Sequence, residues 1–224
     1  MMGVHEAIAG RRSIRAFRDA PVARDVVERI LALSARAPSG SNTQPWRAYG
    51  LAGAPRDALC TEIHAAHMAG DAGDREYLYY PEPWFEPYLA RRRQVGWALY
   101  ATLGITKGDS ARMQVQHGRN FSFFGAPVGL IITVDRRLNP GSWLDLGMFL
   151  QNIMLAARGE GMETCPQAAF APYHKIIRRH LPIAPEEMVV CGMALGEADW
   201  DAPENALVTE RAPLADWAQL HGWE

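Results

Sequence analysis

The sequence predicts an α+β fold, a sandwich in which helices outnumber and cover a small sheet. Three observations carry that expectation. Apolar residues recur at helical spacing in the segments 21–37, 54–70 and 142–161. Between them stand short runs suited to strands, WRAYGLAG, APVGLIITV and EEMVVCGMALG, the second rich in β-branched residues. The chain has 224 residues, 48% apolar and 21% charged, which suffices for one full core and fits a single domain, 1–224, better than two.

In chain order, HEAIAG gives a short first helix ending at Gly10. In PVARDVVERILALSARA, Val26, Val27, Ile30, Leu31 and Ser34 share a helical face, with Pro21 opening the helix and Pro38 stopping it. WRAYGLAG is a strand, and APRDALCTEIHAAHMAG is an amphipathic helix with Leu59, Ile63 and Ala66 on one side and Gly70 as its stop. From residue 71 the pattern dissolves into DAGDREYLYYPEPWFEPYLA, with three prolines, six aromatics and no period. It reads as the start of a lid-like excursion covering about 71–125, because so aromatic a segment argues for function rather than disorder. RRRQVGWALYATLGI is helical and APVGLIITV a buried strand. SWLDLGMFLQNIMLAARGEG, apolar around Leu146, Phe149, Leu150, Ile153, Met154 and Leu155, is expected to be the central core helix. PYHKIIRRHL gives a short helix, EEMVVCGMALG a second buried strand, and 197–224 a polar run broken by prolines.

Composition removes several function classes. A net charge of −2 lacks the basic excess that nucleic acid or an anionic membrane requires, so neither is an expected partner. The longest uncharged run, 120–134, is shorter than the roughly 20 residues of a spanning helix, and the N-terminus shows no signal-peptide stretch, so a cytoplasmic protein is expected. Cys60, Cys165 and Cys191 lie far apart without a CxxC pair and read as reduced thiols. His64 and His67 stand three apart but have no third ligand spaced to join them, so no metal site is expected and both read as surface histidines. RGEG at 158–161 follows a helix rather than opening one, which disfavours a dinucleotide fingerprint. Neither a phosphate-binding GxxxxGK[ST] loop nor a GxSxG elbow occurs.

Three segments stand out. GRRSIRAFRDAP packs Arg11, Arg12, Arg15 and Arg18 around Ser13; the run is either a solvated basic surface or a phosphate site, where an anion relieves the mutual repulsion. APSGSNTQPW places Ser39, Ser41, Asn42, Thr43 and Gln44 between two prolines, either as an elaborate helix stop with Asn42 in an Asx-type turn or as a wall for a polar ligand. TCPQAAF is either an ordinary turn between helices or a segment whose amides at Gln167, Ala168 and Ala169 point at the edge of a planar ring.

Taken in order, these segments with FFGAPVGLIITV, LDLGMFLQNIMLAARGEGM and ERAPL resemble the nitroreductase family of flavin enzymes over nearly the whole chain. The resemblance implies a central, mainly antiparallel sheet flanked by helices in an interlocked homodimer, with FMN at the subunit interface. It puts Arg11, Arg12, Ser13 and Arg211 on the FMN phosphate and ribityl chain and Arg15 near the flavin N1 and O2 edge. Where relatives often carry a Lys, this chain has Thr209, one expected cation fewer. Pro38, Ser39, Gly40 and Asn42 would meet the flavin from the partner subunit, and Pro166, Gln167, Ala168 and Ala169 would lie along the ring near N5 and O4. Relatives often have Glu-Gly where this chain has Ala168 and Ala169, so a backbone donor survives and a Glu side chain does not. The implied activity is hydride transfer from NADPH or NADH to an oxidised aromatic acceptor such as a nitroaromatic or quinone, with ping-pong kinetics. No catalytic acid or base is assigned. Trp84, Phe85, Tyr88, Phe123 and Phe124 are the expected cover of the open ring face. The same cofactor grip also serves relatives that reduce enones, dehalogenate or cleave flavin, or a flavin-binding protein without turnover.

Overall fold

Unbroken apolar runs cannot leave either strand face to water, and the two richest become the middle of the sheet. In the computed structural model, which describes residues 2–223, the elements are α1 (Val4–Gly10), α2 (Arg24–Ser34), β1 (Trp46–Ala52), α3 (Gly53–Met68), α4 (Tyr88–Thr102), α5 (Ser110–Gly118), β2 (Val128–Asp135), α6 (Pro140–Gly159), β3 (Glu163–Gln167), α7 (His174–His180) and β4 (Glu187–Gly196). The strands form one antiparallel sheet in the order β1-β2-β4-β3. Among the described residues, no helix is long and apolar enough to cross a membrane.

Alternation of strand side chains divides the core in two. Leu130, Ile132 and Val134 of β2 pack with Met193 and Leu195 of β4, under Leu146, Phe149 and Ile153 of α6 and Ile30 of α2. Ile131, Val189 and Ala194 face the other way, toward Leu59 and Ile63 of α3, Ile177 of α7 and the rings of Phe121, Phe123 and Phe170. The result is the expected sandwich, a sheet between two helical layers.

Several elements differ from expectation. TCPQAAF begins as strand β3, not as a turn; an edge strand tolerates Pro166, which has no N–H to offer a further neighbour. Helix α5 lies inside the expected excursion, capped by Asp109, whose side chain accepts from the Arg112 N–H. Helix α4 already starts at Tyr88, so the irregular stretch before it spans 71–87. Helix α6 packs one face on the sheet, but Leu144 is 73% and Met148 38% exposed. It has two apolar faces, and a single chain covers one of them.

Phe123 and Phe124 are core residues, 0% and 3% exposed, not a cover for an open face. Both adopt positive φ, +50° and +55°, a costly conformation for bulky side chains that their burial offsets. The reason lies in the sheet. Phe123 stacks on Phe170 with centroids 4.5 Å apart, and the rings press against Gly129 of β2 and Gly192 of β4, where any Cβ would collide with them. Gly192→Ala is therefore expected to cost about 1–3 kcal/mol through overpacking. Gly96→Ala in α4, where a Cβ meets nothing, should gain up to about 1 kcal/mol. Urea denaturation of the two variants measures both.

Candidate active site along the edge of β3

The outer edge of β3 is taken by the segment after α1. Ile14 N–H donates to Thr164 O at 3.1 Å and Ser13 bridges Thr164 in parallel, which lays the arginine run beside the strand. Asn205 clamps this arrangement from the C-terminal side. Its Oδ1 accepts from Arg15 N–H at 2.7 Å, its Nδ2 donates to Ala16 O and Asp199 O, and its carbonyl accepts from Arg12. The Arg12 guanidinium also lies 4.8 Å over the Trp200 ring, and that of Arg15 turns back to Ser13 O at 3.1 Å.

At the start of β3, buried Glu163 pairs with Arg158 of α6 at 3.1 Å, each side chain 11% exposed. Glu163 also lies in the fields of Arg12 and Arg11, and Arg11 in that of Arg211. One carboxylate thus serves three guanidinium groups, with Arg211 a fourth beside Arg11. Burial, then repulsion from Arg211, holds the Arg11 pKa below its ordinary value. Burial raises that of Glu163 against the opposing pull of Arg158, Arg12 and Arg11. Arg158 Nε and Glu163 Oε2 are buried without partners. Surplus positive charge with unfilled hydrogen-bonding capacity suits an anion such as phosphate. Arg211 is exposed and donates to the Thr209 hydroxyl at 2.8 Å, so Thr209 orients a cation where the family resemblance suggested a second one.

At the other end of β3, Pro166, Gln167, Ala168 and Ala169 line a cavity of about 660 Å³. Gln167 is buried in the wall, its Nε2 donating to Asn120 O at 2.7 Å and its Oε1 without a partner. Ala168 and Ala169 open a 3-10 turn held from below by Phe170, with Phe121 edge-on at 5.7 Å. The facing wall comes from His67, His117, Asn120 and Phe121, and from Arg75, Tyr77, Tyr79 and Tyr80 of the excursion.

Most of that facing wall was not read from the sequence. His67 is no free surface histidine: its ring lies 5.0 Å from both His117 and Phe121. Loss of solvent, then the neighbouring His67, lowers the His117 pKa. The YLYY pattern marked the excursion as functional, but not which aromatics turn inward. Tyr77 does so because its hydroxyl donates to Val190 O at 2.5 Å and its ring packs 4.8 Å from Trp143. Trp84 instead packs between Tyr80 and Arg92, and Phe85 and Tyr88 form an exposed edge-on pair, outside the cavity wall.

The loop after α2 is set apart. Ser41, Asn42 and Gln44 have φ of +50°, +58° and +48°. Ser39, rather than Asn42, makes the local turn, its Oγ accepting from Gln44 N–H at 3.0 Å. Gly40 N–H donates to Asp145 Oδ2 near the start of α6, whereas Arg158 sits near its end. Thirteen helical residues separate these points, roughly 20 Å at 1.5 Å per residue. Within one chain, Pro38, Ser39, Gly40 and Asn42 therefore do not join Arg11 and Arg12.

No ionised thiol contributes, since burial pushes Cys60 and Cys165 up to about 11 and Cys191 to about 12. Among the described residues, no group of three or more His, Cys, Asp or Glu could hold a metal ion.

A basic end and an aromatic-walled cavity, joined along one strand edge in a helix-flanked antiparallel sheet, define a site for a long ligand, anionic at one end and planar at the other. The chain belongs to the nitroreductase family, whose family model matches residues 8–197; Arg211 lies beyond that span. Nitrobenzene nitroreductase of Ectopseudomonas oleovorans is 41% identical over 215 residues, 96% of this chain and 95% of that protein. The 4-nitrobenzoate reductase of Pseudomonas putida is 39% identical over 217 residues, 97% and 95% of the two. The crystal structure of the FMN and NADPH-dependent nitroreductase NfnB from Sphigopyxis sp. strain HMH superposes with a TM-score of 0.95 at 38% identity, covering 99% of this chain and all of that one.

Arg158→Met is expected to cost about 3 kcal/mol, because it strips a buried carboxylate of its nearest partner. Replacing Glu163 by Met as well should restore most of that loss. Chemical denaturation of the single and double variants reads the difference.

Proposed function

We propose that this chain is an FMN-dependent oxidoreductase that takes reducing equivalents from NADPH or NADH and passes them to an oxidised aromatic acceptor, a nitroaromatic or a quinone. The observation that carries it is the pairing of surplus guanidinium charge at one end of β3 with a planar-walled cavity at the other. That donor set fits FMN, a phosphate on a polyol chain ending in a flat ring. FMN, when bound, supplies hydride acceptance and delivery, which no side chain here provides. Arg11, Arg12, Ser13 and Arg211 hold the phosphate and the polyol. Arg15 supplies a cation at the pyrimidine edge of the ring, where it favours added electron density. The amides of Ala168 and Ala169 face the opposite edge, with Pro166 and Gln167 beneath the ring.

Pro38, Ser39, Gly40 and Asn42 complete the site from a second copy of the chain. The distance along α6 and the exposed Leu144 and Met148 support a homodimer built on that helix. The cavity then serves nicotinamide and acceptor in turn, which gives ping-pong kinetics. Only the outer part of the 71–125 region, the stretch with Trp84, Phe85 and Tyr88, acts as a lid, since Phe121, Phe123 and Phe124 belong to the core. The three reduced thiols fit a cytoplasmic setting.

The primary test is the absorption spectrum of the purified protein during anaerobic addition of NADPH or NADH and then a nitroaromatic. Flavin bands that bleach and then return are expected; a protein that takes up no FMN overturns the reading. Arg11→Ala and Arg12→Ala should each weaken FMN binding about 10–100-fold, the equivalent of one charge-assisted hydrogen bond, as read by equilibrium dialysis. Trp84→Ala should change KM for bulky acceptors more than KM for the nicotinamide, and steady-state kinetics that show neither altered would remove Trp84 from the lid.

A further inference from the structure

The acceptor end of the site carries an unbalanced charge, and the imbalance indicates which aromatic compounds it takes. Resting on the reading that the 660 Å³ cavity receives the acceptor, we infer that the Arg75–Glu82 ion pair makes the site select uncharged aromatic acceptors over carboxylated ones. It does so by keeping occupied the cation that would otherwise receive a carboxylate.

Arg75 is the sole Lys or Arg among the described residues lining the cavity, which also bears Asp71, Glu76 and Glu82. Its guanidinium is engaged by the Glu82 carboxylate across seven residues of the excursion. Glu76 is neutralised from behind the wall, by Arg136 at 2.8 Å and Arg178 at 3.8 Å. Asp71 accepts from the Gly73 N–H at 2.8 Å and has no ion-pair partner among the described residues. His117 does not correct the balance, since its surroundings disfavour its charged form. An incoming benzoate would meet the field of Asp71 with no free cation to answer it. A neutral substituent of the same shape would meet only the rings of Tyr77, Tyr79 and Tyr80 and uncharged hydrogen-bonding groups. Relatedness does not decide the matter, since relatives of 41% and 39% identity are named for nitrobenzene and for 4-nitrobenzoate.

The pair is also in the right place to be a switch of specificity rather than of fold. Both side chains are more than half exposed, so the pair adds little to stability. Substitution there changes the charge presented to a ligand and leaves the core alone.

The test uses flavin-loaded, oxidised enzyme and two isosteric probes, 4-nitrobenzoate and 4-nitrobenzamide. Binding is measured by calorimetry, and kcat/KM with saturating nicotinamide. Nitrobenzamide is expected to be favoured about fivefold in both, the scale of one water-screened like-charge contact. In Glu82→Gln, freeing Arg75 should lower the preference to about threefold or less; in Arg75→Gln it should widen beyond that of the unaltered enzyme. Equal affinity for the two probes, or a ratio that Glu82→Gln leaves unchanged, overturns the inference. Flavin that nicotinamide does not bleach points instead to failure of the oxidoreductase reading. Absence of calorimetric binding by either probe overturns the placement of the acceptor, and the inference with it.

Discussion

The stack of Phe123 on Phe170 is the contact on which the site depends. Glycine in the middle of a strand ordinarily weakens a sheet, having no side chain to pack. Here Gly129 and Gly192 leave notches that the two rings fill. Each ring belongs to a 3-10 segment that would otherwise have little to hold it: Phe123 to the stretch carrying Asn120 and Phe121, Phe170 to the stretch carrying Ala168 and Ala169. Facing walls of the cavity thus share one anchor in the core. The distance between them is set by ring-on-ring packing, which close-packed interiors hold more rigidly than loops can. A bound planar group would meet preformed walls rather than shape them.

The other end of β3 shows the opposite design, in which stability is given up. Burying Arg158 requires a partner, and Glu163 supplies it, but Arg11, Arg12 and Arg211 remain in excess. The raised pKa of Glu163 fixes the sign of the effect. A carboxyl that ionises less readily in the folded state than in the unfolded one favours folding at low pH, and that contribution is lost as pH rises through the folded-state pKa. Once ionised, Glu163 therefore weighs against the fold, even with guanidinium groups beside it. Sites built for ligands commonly carry such local conflict. A ligand anion that binds only the folded chain returns the lost stability by mass action.

The elements that read clearly from sequence were those with a period or an unbroken apolar run. Helices α2, α3 and α6 and strands β1, β2 and β4 all fall where the patterns put them, because one buried face imposes spacing on the residues that fill it. β3 did not, since five residues interrupted by a proline offer no alternation, and its strand character comes from pairing with β4. Phe123 and Phe124 misled because composition reports that a residue is aromatic, not which way the chain turns it; the positive φ that drives them inward has no signature in FSFFG. The segments Arg11 to Arg15, 38–44 and 166–169 stood out in the sequence because unusual residues cluster there. The facing wall of His67, His117 and Arg75 was not, because single residues from three distant segments meet only after the core has formed.

The excursion at 71–87 illustrates how far such a late-formed wall is fixed. Its root is tied down at four of the seven residues from 71 to 77. Asp71 O accepts from the Tyr173 hydroxyl at 2.7 Å, Asp74 N–H donates to Pro172 O at 2.7 Å, Glu76 accepts from Arg136, and Tyr77 donates to Val190 O. Past Tyr77 the ties to the body are replaced by contacts within the excursion and with α4: Tyr79 on Tyr80, Tyr80 on Trp84, Trp84 under Arg92, and Arg75 with Glu82. The pinned root uses Pro172 and Tyr173, which directly follow the turn carrying Ala168 and Ala169. Root and cavity floor are thus one mechanical unit, resting on Phe170 and the sheet. Segments with few buried contacts open at the lowest cost in free energy. If the cavity receives the acceptor as proposed, entry falls to the stretch beyond Tyr77, whose charges and rings answer to one another rather than to the core.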